Sequence, residues 1–345
     1  MRMKLAVLAA AATAAITATV AAAAVSADDP NTASCTAAPR IDEVPGGSQI
    51  TVECTVPRPP AVTVTVTATP GPSTGPTTTP SSTPTSTPTS TPTSTPTPPP
   101  ATGWPGAPNT GVPDGIELED SGSLTVTTNG AVIDGLDING SLTIRANNVV
   151  VKNTRIRSNA FWPVTIGNGT SGVVLQDIEV DGGGATAGAS GIVGPATIIR
   201  ADVHGVENGL VPGSGSVIRA SWIHDLSSPG SPHYDGIQID GDLSGITIIG
   251  NHVDLTNRTQ TAAVMIDNYY GPISAITVVG NLLRGGGYTV YADGQFSTVD
   301  RIVGVLYTNN RLGKGYYGYG LVRNASVTWT GNVDHATGAI VSPGG

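Results

Sequence analysis

Charge is scarce in this 345-residue chain: Lys and Arg together number 16, Asp and Glu 25, and all four types make up only 12% of it. No basic cluster stands out, and the formal net charge is −9. That composition argues against nucleic acid as a partner, because phosphate binding draws its affinity from dense Lys and Arg. Helix-favouring Glu and Lys are rare, whereas Thr, Val, Ile, Gly and Asn abound, a balance that favours β-structure with many turns. Cysteine occurs twice, both times far upstream of the repeats described below, so a cysteine nucleophile is not expected. A Walker loop, a zinc-type Cys/His spacing and a G-x-S-x-G elbow are all missing. After residue 27 no stretch has the length and apolarity to span a bilayer.

What is present divides the chain into four parts. Residues 1–27 read as an export signal: Arg2 and Lys4 give the positive start, Leu5 to Val20 the apolar run, and Val25-Ser26-Ala27 a small-residue cleavage site. The mature protein is therefore expected outside the cell, with no membrane span once the signal is removed. Residues 28–70 form a small module holding Cys35 and Cys54, expected to pair as one disulfide in an exported protein. Short strands are expected at 49–52 and 62–66. A module this short buries little core, so the bridge substitutes for one; it reads as a spacer or a contact to the cell wall. Residues 71–103 are mostly Thr, Ser and Pro, too poor in apolar groups to offset the entropy of ordering, and read as a linker or stalk.

Residues 104–345 are organised by internal repeats. One column of apolar segments runs through Val151, Leu175, Ile198, Ile218, Ile248, Val278 and Tyr307. A second runs through Ile156, Val180, Val203, Ile223, Val253, Leu283 and Leu312, with Val333 continuing it. Units this short cannot close a core alone and must stack. Alternation of two, with no helical period, predicts an all-β solenoid: a parallel β-helix with two or three short strands per coil. Asn251, Asn281, Asn310 and Asn332 take one place in successive units, three of them after Gly; Asn tolerates the left-handed backbone, and stacked side chains can bond along the axis.

The segment 232–241 is central. Ile237 and Ile239 are expected to face the core, with Asp235, Gln238 and Asp240 facing or flanking the other side. Aligned coil by coil, one outward column reads Gly167, Pro195, Gly213, Asp240, Asp267, Asp293, and a second Thr165, Val193, Val211, Gln238, Met265, Tyr291. Coils lie ~4.8 Å apart, so neighbouring aspartates would sit ~5 Å apart. Carboxylates at ~5 Å suit a retaining glycosidase pair, and those at ~6.5–9.5 Å an inverting pair. The column could instead hold Ca²⁺, which prefers several carboxylate and carbonyl oxygens. Each aspartate also precedes Gly or Asn, where an acid commonly caps a turn.

His233 beside Asp235 is a candidate proton-transfer pair. Another outward row, Arg157, Asp181, His204, His224, Asp254 and Arg284, reads equally as a solvated ladder of charges, with His224 the member nearest the central segment. All nine tyrosines lie between Tyr234 and Tyr319, in the half that holds the aspartates. Flat amphipathic rings suit sugar faces: Tyr288 and Tyr291 are candidates for substrate contact, with Tyr291 expected to be exposed and Tyr316-Tyr317-Gly318-Tyr319 read as a loop over the groove. Arg258 and Lys314 are candidate sugar or carboxylate clamps.

The repeats, led in by Asn109-Thr110-Gly111-Val112-Pro113, together with His233-Tyr234-Asp235-Gly236-Ile237-Gln238 and Gly285-Gly286-Gly287-Tyr288-Thr289-Val290-Tyr291, resemble the right-handed parallel β-helix proteins of the pectate-lyase-like superfamily, and among them exported actinobacterial members. The resemblance covers about Trp104 to Val341. It implies a polysaccharide partner and either glycoside hydrolysis or lyase chemistry; the superfamily also includes non-catalytic adhesins, so a glycan-binding surface protein stays open. Relatives that work as lyases often carry a groove-strand Lys where this chain has Val211 or Met265. The paired Asp-Asp and Gly-His-Gly segments of polygalacturonases are absent too. Because acids outnumber bases in the expected groove, the reading favours a hydrolase with Asp240 and Asp267 as acid and base or nucleophile, assisted by Asp235 and His233, with Gln238, Tyr288, Tyr291, Asp293, Arg258, Lys314 and His224 binding substrate.

Overall fold

A computed structural model describes residues 103–344, together with the backbone of the strands Arg40–Val44 and Gly47–Thr51. The chain falls into two units, Met1–Ser86 and Thr87–Gly345. In the first, the two short strands pair antiparallel, Arg40 opposite Thr51. The expected export signal, both cysteines, the strand at 62–66 and nearly all of the linker lie outside the described residues.

The second unit is one sheet of 25 strands wound as a right-handed parallel β-helix. Three stacks of strands run its length. In the first, Val151, Leu175, Ile198, Ile218, Ile248, Val278 and Tyr307 lie over one another in register. In the second, Ile156, Val180, Val203, Ile223, Val253, Leu283 and Leu312 do the same. The third passes through Val164–Ile166, Ser190–Gly194, Asn208–Pro212, Asp235–Ile239, Ala262–Ile266, Tyr288–Asp293 and Gly318–Arg323. Inward residues of all three meet in a single core. Each fully buried Ile, Val or Leu there contributes about 1.5–3 kcal/mol relative to exposure. Val333 departs from the expected column: it pairs with Arg311, and Asp334 takes the place over Leu312.

The corner between the first and second stacks shows how sequence becomes shape. A residue in the left-handed region recurs there in eight coils: Asn153, Asp177, Arg200, Ala220, Gly250, Gly280, Asn309 and Gly331. A Cβ on Gly250 or Gly280 would meet nothing within 4 Å, so backbone angle rather than space favours glycine at these points. The asparagine ladder follows one residue later, so the ladder asparagines themselves do not adopt the left-handed backbone. Asn251, Asn281 and Asn310 each donate from Nδ2 to Oδ1 of the next asparagine, at 3.0, 2.9 and 2.9 Å. Each also donates to a main-chain carbonyl of the coil before it: Ile218, Ile248 and Val278. Buried amides are thus satisfied along the axis without water.

Candidate functional site

The outward rows of the third stack fall in the expected register. Gln238 lies over Met265, Ile239 over Ile266, and Asp267 pairs directly with Asp293. Asp293 in turn lies over Arg323. The ~4.8 Å coil spacing therefore places Asp240, Asp267 and Asp293 as a contiguous run of acids on one wall.

The three acids are not equivalent. Asp293 is 2% exposed and bound by Arg323, whose Nε donates to Oδ1 at 3.0 Å and whose Nη2 donates to Oδ2. It is a neutralised structural pair and not a free substrate ligand, contrary to the expectation from its position. Asp267 accepts the Tyr269 amide on Oδ1 at 2.9 Å, the turn cap its sequence context allows. Burial holds its carboxyl above the usual range; the Tyr269 amide opposes this and the charge of Asp293 adds to it. Asp240 accepts one bond, from Gln238 Nε2 to Oδ2 at 2.8 Å. Its other oxygen, Oδ1, is buried and receives no donor among the described residues. Burial first, and then the charge of Asp267, push the Asp240 carboxyl up to about 7. Gln238 thus acts on the acid column as a support of Asp240.

Asp235 opens the same strand at 4% exposure. Its Oδ1 takes a 3.3 Å bond from the Ala262 amide. Burial, with the charges of Asp240, Asp267 and Glu207, raises it well above the ordinary carboxylate value. The expected His233–Asp235 partnership does not form. The His233 side chain is exposed, and its main-chain N–H donates to Glu207 Oε1 at 3.1 Å. Glu207 also takes bonds from the Gly188 amide and the Ser228 hydroxyl, both at 2.7 Å, and so ties down the loop that carries His233. Sequence reasoning passed over Glu207 because it stands in a connection rather than a repeated position. It passed over Arg323 although that residue follows Asp293 by one coil, the spacing already visible in the column.

His224 lies elsewhere, on the second stack. Its ring stacks on Trp222 with centroids 3.4 Å apart. Both ring nitrogens are engaged by carboxylates, Asp202 at 2.8 Å and Asp225 at 2.7 Å, leaving none for a substrate. The row to which it belongs is the mixed-charge ladder that its composition suggested, with Arg157 over Asp181, Asp181 over His204, and Asp254 over Arg284.

The tyrosines sort differently from expectation. Tyr291 is half-buried: its hydroxyl accepts the Tyr288 amide at 3.3 Å, and its ring packs edge-on against Tyr288 at 5.5 Å. Tyr319 belongs to the strand Gly318–Arg323 and donates to Asp334 at 3.0 Å. The main chain of Tyr316 and Tyr317 is bonded to Gly286 and Gly287 at 2.9 and 2.7 Å, so this segment is a fixed rim rather than a free loop. Tyr269, Tyr270 and Phe296, all exposed, form an edge-to-face cluster beside Asp267, with centroid separations of 4.8 and 5.8 Å.

The acid column lies on an open wall; the cavities lie at the corner that leads into it. Three adjoining cavities of about 420, 400 and 550 Å³ surround residues 256–260, and all three touch Arg258. His233 lines the first, Lys314 and Tyr316 the second, His224 the third. Among the described residues no group of three or more His, Cys, Asp or Glu is arranged to hold a metal ion. With Asp293 committed to Arg323, the acids do not converge as a Ca²⁺ cage would require.

No protein-family model and no curated protein matches the sequence. Two solved structures are similar to it. The Dettilon tailspike protein is 14% identical, with a TM-score of 0.39, over 65% of this chain and 59% of the tailspike. An alginate lyase from Paenibacillus sp. is 10% identical, with a TM-score of 0.28, over 62% of this chain and 94% of the lyase. The chain thus spans about three fifths of the tailspike it matches. Likenesses this distant say nothing of chemistry.

Proposed function

We propose that this protein hydrolyses a polysaccharide on the third-stack wall, with Asp240 as general acid and Asp267 as its partner carboxylate. One observation carries the reading: the two aspartates occupy the same outward position on adjacent coils, and Asp240 is held up to about 7 with one oxygen left without a donor. A carboxyl that stays protonated near neutrality can give its proton to a leaving glycosidic oxygen. A second carboxylate one coil away, at ~5 Å, suits the nucleophile of a retaining mechanism.

In the first step Asp240 protonates the departing oxygen while an Asp267 oxygen attacks the anomeric carbon. The glycosidic C–O bond breaks and a glycosyl ester forms. In the second step Asp240, now the base, takes a proton from water, and the resulting attack frees Asp267. Asp235, buried behind them and held protonated, supports the site electrostatically without touching substrate. The exposed Tyr269, Tyr270 and Phe296 offer ring faces beside the acids for a sugar to lie on.

Digestion of a glycan panel by wild type and by Asp240→Asn tests this. New reducing ends from the wild type alone support the assignment. Equal product from both removes Asp240 from the mechanism. Ultraviolet-absorbing unsaturated ends would replace hydrolysis by elimination, since only loss of a proton from the sugar ring leaves that double bond.

A further inference from the structure

One of the three corner cavities differs from the rest of the molecule in charge. The chain carries a net −9, yet the 400 Å³ cavity is lined by Arg258, Arg284 and Lys314 and by no acid. Arg284 has Asp254 as a distant partner at 3.6 Å. Among the described residues neither Arg258 nor Lys314 has a carboxylate within salt-bridge distance. Arg258 is nonetheless held in place: its Nη2 donates to the Leu226 carbonyl at 2.8 Å, and its guanidinium sits 4.4 Å from the centre of the Tyr234 ring. The remaining N–H groups are free, on a group that is already positioned.

The cavity floor is main chain. A Cβ on Gly315 would lie 2.7 Å from the Gly287 carbonyl and 2.9 Å from that of Gly286. The turn is further pinned by buried Thr289, whose hydroxyl donates to the Gly313 carbonyl at 2.8 Å and accepts the Gly315 amide at 3.0 Å. Glycines here keep the floor low and leave the space to the three cations.

We infer that this cavity binds an oxyanion carried on a sugar chain, a carboxylate or a sulfate ester, and that the substrate of the third-stack wall is an acidic polysaccharide. The inference rests on the proposed function for the nature of the carrier. Unpaired guanidinium and ammonium groups in a recess match an oxyanion in geometry and sign. The cavity opens at the start of the strand Ala262–Ile266, and Asp267 follows its end. Five residues at ~3.3 Å separate the two by roughly 16 Å. One chain lying along the strand would reach both, so short oligomers would bind without being cut.

Calorimetric titration of the full-length Asp240→Asn protein tests this with four probes: a uronate hexasaccharide, a sulfated hexasaccharide, a neutral hexasaccharide and inorganic sulfate. One of the two acidic sugars binds, and the one that does identifies the oxyanion. Arg258→Gln and Lys314→Met each weaken that binding about tenfold, the loss expected of one charged hydrogen bond. Lys314→Arg restores it, and salt weakens it. Equal binding of the neutral sugar, equal binding of inorganic sulfate, no binding of either acidic sugar, or indifference to both cation substitutions overturns the inference. The two readings fail separately. Cleavage of a neutral chain by wild type but not by Asp240→Asn keeps the hydrolase and removes the acidic substrate. Cation-dependent binding of an acidic chain that wild type does not cut does the reverse.

Discussion

Two rows of polar side chains run along the outside of this solenoid, built by the same coil spacing and opposite in electrostatic design. On the second stack the signs are mixed: Arg157, Asp181, His204, His224, Asp254 and Arg284 follow one another, and carboxylates sit against cations or imidazoles along much of it. On the third stack the sign repeats: Asp240, Asp267 and Asp293 succeed one another, and only the last has a cation of its own. A self-neutralising ladder is what stacked coils reach when stability alone is served. A run of like charges, partly buried, works against folding, and such arrangements concentrate where a protein needs a shifted proton affinity. Stacking itself does not choose between them; the residue at each outward position does.

The comparison breaks first on activity. Asp240→Asn is expected to lower glycan cleavage at least 100-fold, the range of a lost general acid, while Asp181→Asn on the mixed ladder leaves the rate within about twofold. Reducing-end assays on both variants decide it; equal losses would erase the distinction between the two rows. A large effect on stability is expected at the end of the acidic row. Arg323→Met leaves the Asp293 carboxylate buried and unpaired, and chemical denaturation should show a loss of about 3 kcal/mol. Arg284→Met, on the exposed ladder, should cost under about 1 kcal/mol.

The pH dependence sharpens the contrast. The folded-state value for Asp240, about 7, lies above its ordinary 3.8, so its contribution to stability is present in full below about 4 and is lost as pH rises through about 7. Asparagine removes that loss. Asp240→Asn should therefore gain stability over wild type as pH is raised from about 4 to about 8, a difference readable as the gap in Tm. Asp254 behaves in the opposite sense: burial alone would raise it, but bonds from Thr256 and the charges of Arg284 and His252 outweigh that and hold it low. Its contribution is present above the ordinary carboxylate range and lost in acid, so Asp254→Asn should narrow its stability deficit only as pH falls below about 4. The smallest effect is expected for Asp181→Asn, within about 0.5 kcal/mol at any pH.

Much of the architecture was legible in the chain itself. The apolar columns and the asparagine ladder are periodic, and the parallel register follows once coils are stacked, because a misplaced coil would expose Ile248 or Val253. The outward rows were legible for the same reason, which is why Asp240, Asp267 and Gln238 fall where alignment put them. The partners of those residues were harder to read. Arg323 neutralises Asp293 from the next coil, and nothing in the dipeptide Asp293-Gly294 signals it. His233 stands two residues from Asp235, yet the 225–232 loop, fastened by Glu207, turns its ring away. The Val333 shift arises at the last described coils, where no further strand enforces the repeat. Cavities escape periodic reading altogether, since residues 256–260, Gly285, Gly313 and Lys314 meet only through the winding of three coils.

The account turns on the state of one carboxyl. Selective ¹³C labelling of aspartate, with the Asp240 resonance assigned by its loss in Asp240→Asn, allows its titration to be followed directly by NMR. The structure predicts a midpoint near 7 in wild type, lower but still above the ordinary range in Asp267→Asn, where burial remains and the neighbouring charge is gone. A midpoint near 4 in both proteins would contradict it.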